Sequence, residues 1–252
     1  EPMWRQAERL NPVQHFQRRP QDGWRLPVNE LHERLHPNVS VVMITEPHNP
    51  SGILAPRTEV LELAEMAGQV GAYLLINEVY RGYSQTPSYH REAENIVVVS
   101  SLSKFIGAYW LRLGWLSAAP EVCQRLRQAH LNMGMGSLVS SMAGTRLLES
   151  IGPMAEVACQ RAAAGRDVVH QWVKSTPGVS WSRPMGPGFG ALLLPEHIDD
   201  LAFAEHLHEK CGVLVVPGCC FQAPGTLRIA WLQAGERLQE GLDILATEIA
   251  RS

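Results

Sequence analysis

The hydrophobic positions show two textures, and the change falls after the middle of the chain. In the first half, nearly continuous apolar runs alternate with helical patterns. Val39–Thr45 (VSVVMIT), Ala72–Ile76 (AYLLI) and Ile96–Ser100 (IVVVS) read as buried strands. Leu111–Ser117 reads as a fourth, because Arg, Gly and Trp interrupt it without helical spacing. Between the first two, Glu59–Gly71 repeats its apolar residues at the helical period behind Pro56, which predicts a helix. Strands of this kind separated by helices predict a mainly parallel sheet covered on both faces.

From Pro120 the pattern turns helical, over Glu121–Leu131, Ser137–Ser150 and Met154–Ser175, with a break at Gly152-Pro153. Beyond Pro177-Gly178, short strands at Val179–Ser182, Gly190–Leu194, Val213–Val216 and Leu227–Trp231 mix with helices at Leu201–Lys210 and Arg237–Ile249. The expected fold class is α/β. A large domain over residues 1–165, with a mainly parallel sheet and flanking helices, leads into a smaller C-terminal α+β domain over 166–252. The Met133–Gly136 run reads as a loop or a helix start rather than a recognition element.

Composition narrows the function classes. The 252 residues are 45% apolar and 19% charged, ordinary values for a globular domain. A formal net charge of −3 presents no basic field for nucleic acid or an anionic membrane. No apolar run approaches the ~20 residues of a membrane span, and no charged-then-apolar leader is visible. Five cysteines, an odd count without a CxxC pair, predict a reduced, cytoplasmic setting and no structural zinc. The ten histidines lack metal-ligand spacing, so no metal is expected, and His36, His48 and His90 read as surface or capping residues. The chain opens on Glu1 rather than Met, which reads as something other than a translational start.

Chemistry gathers where the strands end. Ligands of open parallel sheets sit beyond the carboxyl ends of the strands, and three polar clusters fall there. They are Glu46-Pro-His-Asn-Pro-Ser-Gly52, Asn77-Glu-Val-Tyr80, and Ser101-Leu-Ser-Lys104 with Arg112 eight residues further on. A lysine in a partly desolvated pocket near other cations has its pKa lowered and becomes a carbonyl nucleophile. Arg112 with Ser101 and Ser103 suits a phosphate. Asn49 and Tyr80 suit a phenolate oxygen. A ligand with an aldehyde, a phosphate and a ring oxygen is pyridoxal 5′-phosphate.

The order Asn49-Pro-Ser-Gly52, Asn77-Glu-Val-Tyr80, Ser101-Leu-Ser-Lys104, Arg112-Leu-Gly114 and Leu227-Arg228-Ile229 resembles class I/II aminotransferases of the aspartate-aminotransferase fold, fold type I. The resemblance runs from about Glu1 to the end of the chain. It implies a pyridoxal-phosphate-dependent aminotransferase that moves an amino group between an amino acid and a 2-oxo acid. Lys104 would hold the cofactor as a Schiff base and shuttle a proton. Ser101, Ser103 and Arg112 would bind the phosphate. Tyr80 would donate to the ring oxygen, and Asn49 would contact that oxygen and the substrate carboxylate. Asn77 would face the ring nitrogen, Arg228 would grip the substrate carboxylate through two hydrogen bonds, and Gly188-Phe189-Gly190 resembles a segment that closes over substrate. The family implies a homodimer with sites at the subunit interface. Two other readings stay open: another pyridoxal-phosphate enzyme of amino acids (lyase, decarboxylase or oxidase-like), or a catalytically impaired homologue.

Three departures qualify the resemblance. Asn77 stands where the family has an aspartate, whose charge keeps the ring an electron sink. Glu78 is no substitute, because successive strand side chains face opposite ways. The family also has a longer front, with a first strand, a Gly-rich turn under the phosphate and a stacking aromatic, so a shortened chain is expected to leave a sheet edge uncovered. Finally, Tyr109-Trp110 replaces the Pro-Gly that usually precedes Leu-Arg.

Overall fold

The computed structural model describes residues 13–131, 136–232 and 235–252. Residues 1–12 and most of the Met133–Gly136 run therefore lie outside the described residues. Strands β1 (Val41–Thr45), β2 (Tyr73–Asn77), β3 (Ile96–Ser101) and β4 (Gly114–Ser117) lie side by side in chain order. The first three are parallel and β4 runs antiparallel to β3. Helix α1 (Val28–Arg34) precedes β1, and α2 (Arg57–Gln69) forms the crossover from β1 to β2.

Strand periodicity sorts the sheet's side chains into two faces. Val42, Ile44, Leu74, Ile76, Ile96 and Val98 join Val60, Leu63, Ala64 and Ala67 of α2, with Leu26 and Leu31, in one core. Fully burying a side chain of this size is worth roughly 1.5–3 kcal/mol, so this face fixes how α2 lies. The other face is unevenly covered. Val41 and Met43 on β1 are 53% and 58% exposed, whereas Val97 on β3 is buried. The expectation of a sheet covered on both faces therefore holds in part among the described residues: α2 packs against one face, and the other is exposed along β1.

The other differences are local. The fourth strand starts at Gly114 rather than Leu111, because Tyr109–Leu111 form a 3-10 turn and Arg112 takes a left-handed conformation (φ 51°) that ends it. Helices α3 (Pro120–Leu131), α4 (Leu138–Glu149) and α5 (Ile151–Ser175) follow. The break expected at Gly152-Pro153 falls at Ser150 instead. Pro153 sits in the first turn of α5, where backbone N–H groups have no helical partner to lose. Ser137 caps α4 by accepting from the Ser140 N–H at 3.2 Å.

The second sheet is antiparallel throughout. It comprises β5 (Ser180–Trp181), β6 (Phe189–Leu193), β7 (Val216–Pro217) and β8 (Thr226–Ala230), in the order β5-β6-β8-β7. Helices α6 (Asp200–Cys211) and α7 (Leu238–Arg251) pack with it. Leu192, Leu207, Leu227 and Leu245 form its core with Val169, Trp172 and Val173 from the C-terminal half of α5. Earlier in α5, Ala162 packs instead with Tyr80, Tyr83 and Phe189, so the helix serves both sheets. Among the described residues no helix is long and apolar enough to cross a membrane.

One buried ion pair ties the segment before α1 to the end of β1. The Arg18 guanidinium donates to Glu46 and, through Nε, to the Trp24 carbonyl at 2.5 Å. Glu46 is fully buried, and its second oxygen accepts from the Ala55 N–H at 3.0 Å. Removing one member of a buried pair leaves the other charge uncompensated. Glu46→Gln is expected to lower the unfolding free energy by about 3–5 kcal/mol in denaturant melts, and a loss under ~1 kcal/mol would show that the pair is not structural.

Candidate functional site

Register brings the three polar clusters to one edge of the first sheet. Thr45, Asn77 and Val99 are paired across β1, β2 and β3, and Ser101 lies two residues beyond Val99. Asn77 and Ser101 therefore share a face, the one that carries the exposed Val41 and Met43. Glu78 points the other way, as expected. Its carboxylate accepts from Ser88 Oγ at 2.6 Å and the Tyr89 N–H at 2.8 Å, and it lies 3.4 Å from Arg81 Nε.

Asn77 is half-buried, and its Oδ1 accepts from the Val79 N–H at 3.1 Å. The oxygen thus closes a local turn, and the amide nitrogen is the group left to meet a ligand. Asn49 is half-buried in the turn after β1, and its Oδ1 is buried without a protein partner among the described residues. This turn is docked against the second sheet. The Met185 N–H donates to the Gly52 carbonyl at 3.2 Å. Gly52 has φ +70°, and a Cβ there would come within 2.8 Å of the Phe189 carbonyl. Glycine is thus required both by conformation and by close approach.

Tyr80 is buried, and its ring meets Phe189 edge-on with centroids 4.7 Å apart. On Phe189 also rests Arg228, with Cζ 4.3 Å from the ring centroid. Arg228 is paired across β8 with Ala191 and Val216, and its Nε is buried without a protein partner among the described residues. The structure thus joins Tyr80, Phe189 and Arg228 in one cluster across the two sheets.

The Ser101–Arg112 segment forms the other part of the site. Ser101 Oγ accepts from the Ser103 N–H at 3.2 Å, so this serine shapes the turn. The Tyr83 hydroxyl donates to the Lys104 carbonyl at 2.7 Å, and its ring packs edge-on against Phe105 at 4.9 Å. Burial pushes the Tyr83 hydroxyl well above its ordinary pKa, which keeps it a donor. Tyr83 has no special sequence signal beyond lying three residues after Tyr80, and its anchoring of the Lys104 backbone emerges only in three dimensions. Lys104, in the turn after β3, is exposed rather than partly desolvated. Arg112 is exposed too and donates to the Tyr109 carbonyl at 3.3 Å. Tyr109 and Trp110, the pair replacing Pro-Gly, are 64% and 66% exposed and meet edge-on.

The histidines behave largely as expected. His36 Nδ1 accepts from the Asn38 N–H at 3.3 Å, and His90 pairs with Ser117 at the surface. His48 departs from this, being half-buried beside Trp24 with its Nδ1 2.8 Å from Ser51 Oγ.

These residues fit a ligand that carries an anionic group, a ring oxygen and a carboxylate. Buried polar atoms of Asn49 and Arg228 lack protein partners, and an amine, two hydroxyls and a guanidinium stand at the neighbouring strand end. The sequence profile of the family "aminotransferase class I and II" matches residues 5–245, and the chain belongs to that family. A probable aspartate/prephenate aminotransferase of Aquifex aeolicus is 28% identical over 239 residues, covering 87% of this chain and 60% of that relative. An arginine–pyruvate transaminase of Pseudomonas aeruginosa is 29% identical over 238 residues, covering 88% and 59%. The crystal structure of a PLP-dependent aminotransferase from Streptococcus suis superposes with a TM-score of 0.86 at 27% identity, covering 92% of this chain and 63% of that one. The chain spans about three fifths of the length of these relatives.

Burial, and secondly the nearby Arg18 charge, hold the His48 imidazole well below its ordinary value of 6.5. In the unfolded chain it protonates near 6.5, so the unfolded state takes up more protons as pH falls. The contribution is present above pH 6.5 and lost below it. Between about pH 6.5 and 5, wild-type unfolding free energy is expected to fall more steeply than that of His48→Asn, by up to about 1 kcal/mol per pH unit. Parallel slopes in denaturant melts would refute this.

Proposed function

We propose that the chain is the greater part of a pyridoxal-phosphate-dependent aminotransferase acting between an amino acid and a 2-oxo acid. The carrying observation is the meeting of Asn77 and the Ser101–Lys104 turn on one face of adjacent strand ends, in a chain belonging to the aminotransferase class I and II family. When bound, the cofactor supplies an electron-withdrawing ring that stabilises negative charge at the substrate α-carbon. Lys104 binds its aldehyde and carries a proton on Nζ. Ser101, Ser103 and Arg112 take the phosphate, which suits two hydroxyls beside a guanidinium. The Tyr80 hydroxyl donates to the ring oxygen. The free polar end of Asn49 serves that oxygen and the substrate carboxylate. Arg228, with its Cζ over the Phe189 ring, binds the substrate carboxylate, which would give its Nε a partner.

The unit boundary at 165/166 belongs to the same reading, supported by the separate cores of the two sheets. So does a homodimer, for which the apolar surface of α4 is support: Leu138, Val139 and Met142 are all mostly exposed. A cytoplasmic setting is supported by five unpaired cysteines. The relatives named above favour amino-group transfer over elimination or decarboxylation.

The test is covalent. Incubation with pyridoxal phosphate and borohydride is expected to leave one stable adduct, mapped by peptide mass to Lys104 and absent in Lys104→Ala. An adduct spread over surface lysines would sink the assignment. Asn77→Asp tests the second point separately. With the Asn77 oxygen engaged by Val79, only an amide donor remains for the ring nitrogen, and a donor does not favour its protonation. A carboxylate would, and the half-transamination rate is expected to rise by roughly tenfold or more. An unchanged rate with the Lys104 adduct intact would refute the account of Asn77 alone.

A further inference from the structure

The sequence spacing gives no metal signal, yet the fold gathers three ligand types from two helices. His206 and Cys211 lie on α6, Cys211 as its last residue, and Glu248 lies on α7. One donor atom from each, an imidazole nitrogen, the thiol sulfur and a carboxylate oxygen, lie within 4.8 Å of one another. None belongs to the site described above.

We propose that His206, Cys211 and Glu248 form a zinc-binding site with one open coordination position. Imidazole, thiolate and carboxylate are the donor types that Zn2+ takes, at about 2.0–2.3 Å, so tetrahedral donors stand roughly 3.3–3.7 Å apart. The His206 and Glu248 donors are closer than that, and the Cys211 sulfur lies within 4.8 Å of both. His206 Nε2 sits 2.7 Å from Glu248 Oε2, and the ion would take the place of the proton between them. Glu248 Oε1 is held by Arg251 Nη1 at 2.7 Å, which orients the carboxylate so that Oε2 faces His206.

The surroundings suit a cation further. Cys211 stands at the C-terminus of a twelve-residue helix, the end that carries the negative pole of the helix dipole. Cys211 and Glu248 line a surface cavity of about 710 Å³ together with Asp243, Glu240 and Arg251. That cavity leaves the fourth position to water. The side chains are anchored by packed helices, since Leu207 and Leu245 meet in the same core.

The alternative is a plain His206–Glu248 ion pair with a bystander thiol, and metal titration separates the two. The full chain, treated with chelator and dialysed, is titrated with Zn2+ by calorimetry and with Co2+ by absorption spectroscopy. One equivalent per chain is expected, with a thiolate-to-cobalt charge-transfer band. Cys211→Ser and His206→Gln should each weaken Zn2+ binding by at least about tenfold, and Cys211→Ser should remove the band. The double variant Cys219→Ser/Cys220→Ser should keep both. Absence of one-equivalent binding, absence of the band in the unaltered chain, or loss of binding with Cys219 and Cys220 instead of Cys211 would each overturn the site. The cobalt band needs no variant, so misfolding of one does not shield the proposal.

Discussion

The alternation of side chains along β2 and β3 is the constraint on which the site depends. It separates Asn77 from Glu78 and Ser101 from Ser100, although each pair is adjacent in sequence. Glu78 goes to the helix-covered side of the sheet, where Ser88, Tyr89 and Arg81 satisfy its carboxylate. Ser100 follows it there and donates to the Glu78 carbonyl at 3.3 Å. Asn77 and Ser101 are left on the other side. A slip of one residue in register would exchange the two sets and bring the Glu78 carboxylate to the site face. The apolar alternation of Leu74, Ile76, Ile96 and Val98 against α2 forbids that slip. The packing of one face therefore selects the chemistry of the other.

The second constraint is the contact between the sheets. Phe189 is shared by Tyr80 and Arg228, its carbonyl crowds Gly52, and Tyr80 and Phe189 pack with Ala162 of α5. Each link is short and buried, so Asn49, Tyr80 and Arg228 hold their relative positions without a ligand. Arg228 is more than a charge on a strand. Its planar guanidinium lies on a ring, which fixes its orientation in a way a lysine would not reproduce.

Much of this was legible in the chain. Continuous apolar runs located the strands of the first sheet, because buried parallel strands leave that signature, and the polar clusters after those runs fall at strand ends that the register brings side by side. The missed features are those that depend on partners distant in sequence. Nothing in the string Asn77-Glu78 says that the amide oxygen closes a turn onto Val79. Tyr83 reads as one more aromatic until its hydroxyl meets the Lys104 carbonyl. The fourth strand was placed three residues too early because Arg112 in a left-handed conformation has no sequence mark, unlike a glycine. The sheet was expected to be covered on both faces because continuous apolar strands predict a cover without saying which segment supplies it.

That last difference bears on the exposure of Lys104. A lysine amine becomes a nucleophile through desolvation or a neighbouring cation, and in the described residues its side chain is in water. Asn49 and Arg228, by contrast, already carry buried polar atoms without partners, each a cost of about 1–3 kcal/mol. The two halves of the site thus stand at different stages. The half proposed around the inter-sheet contact is held in place by packing among the described residues. The half around Lys104 has its backbone anchored by Tyr83 but its amine unshielded, so the proposed chemistry needs a further cover over the unevenly covered face. The exposed Val41 and Met43 on that face are apolar surface of the kind such a cover would bury.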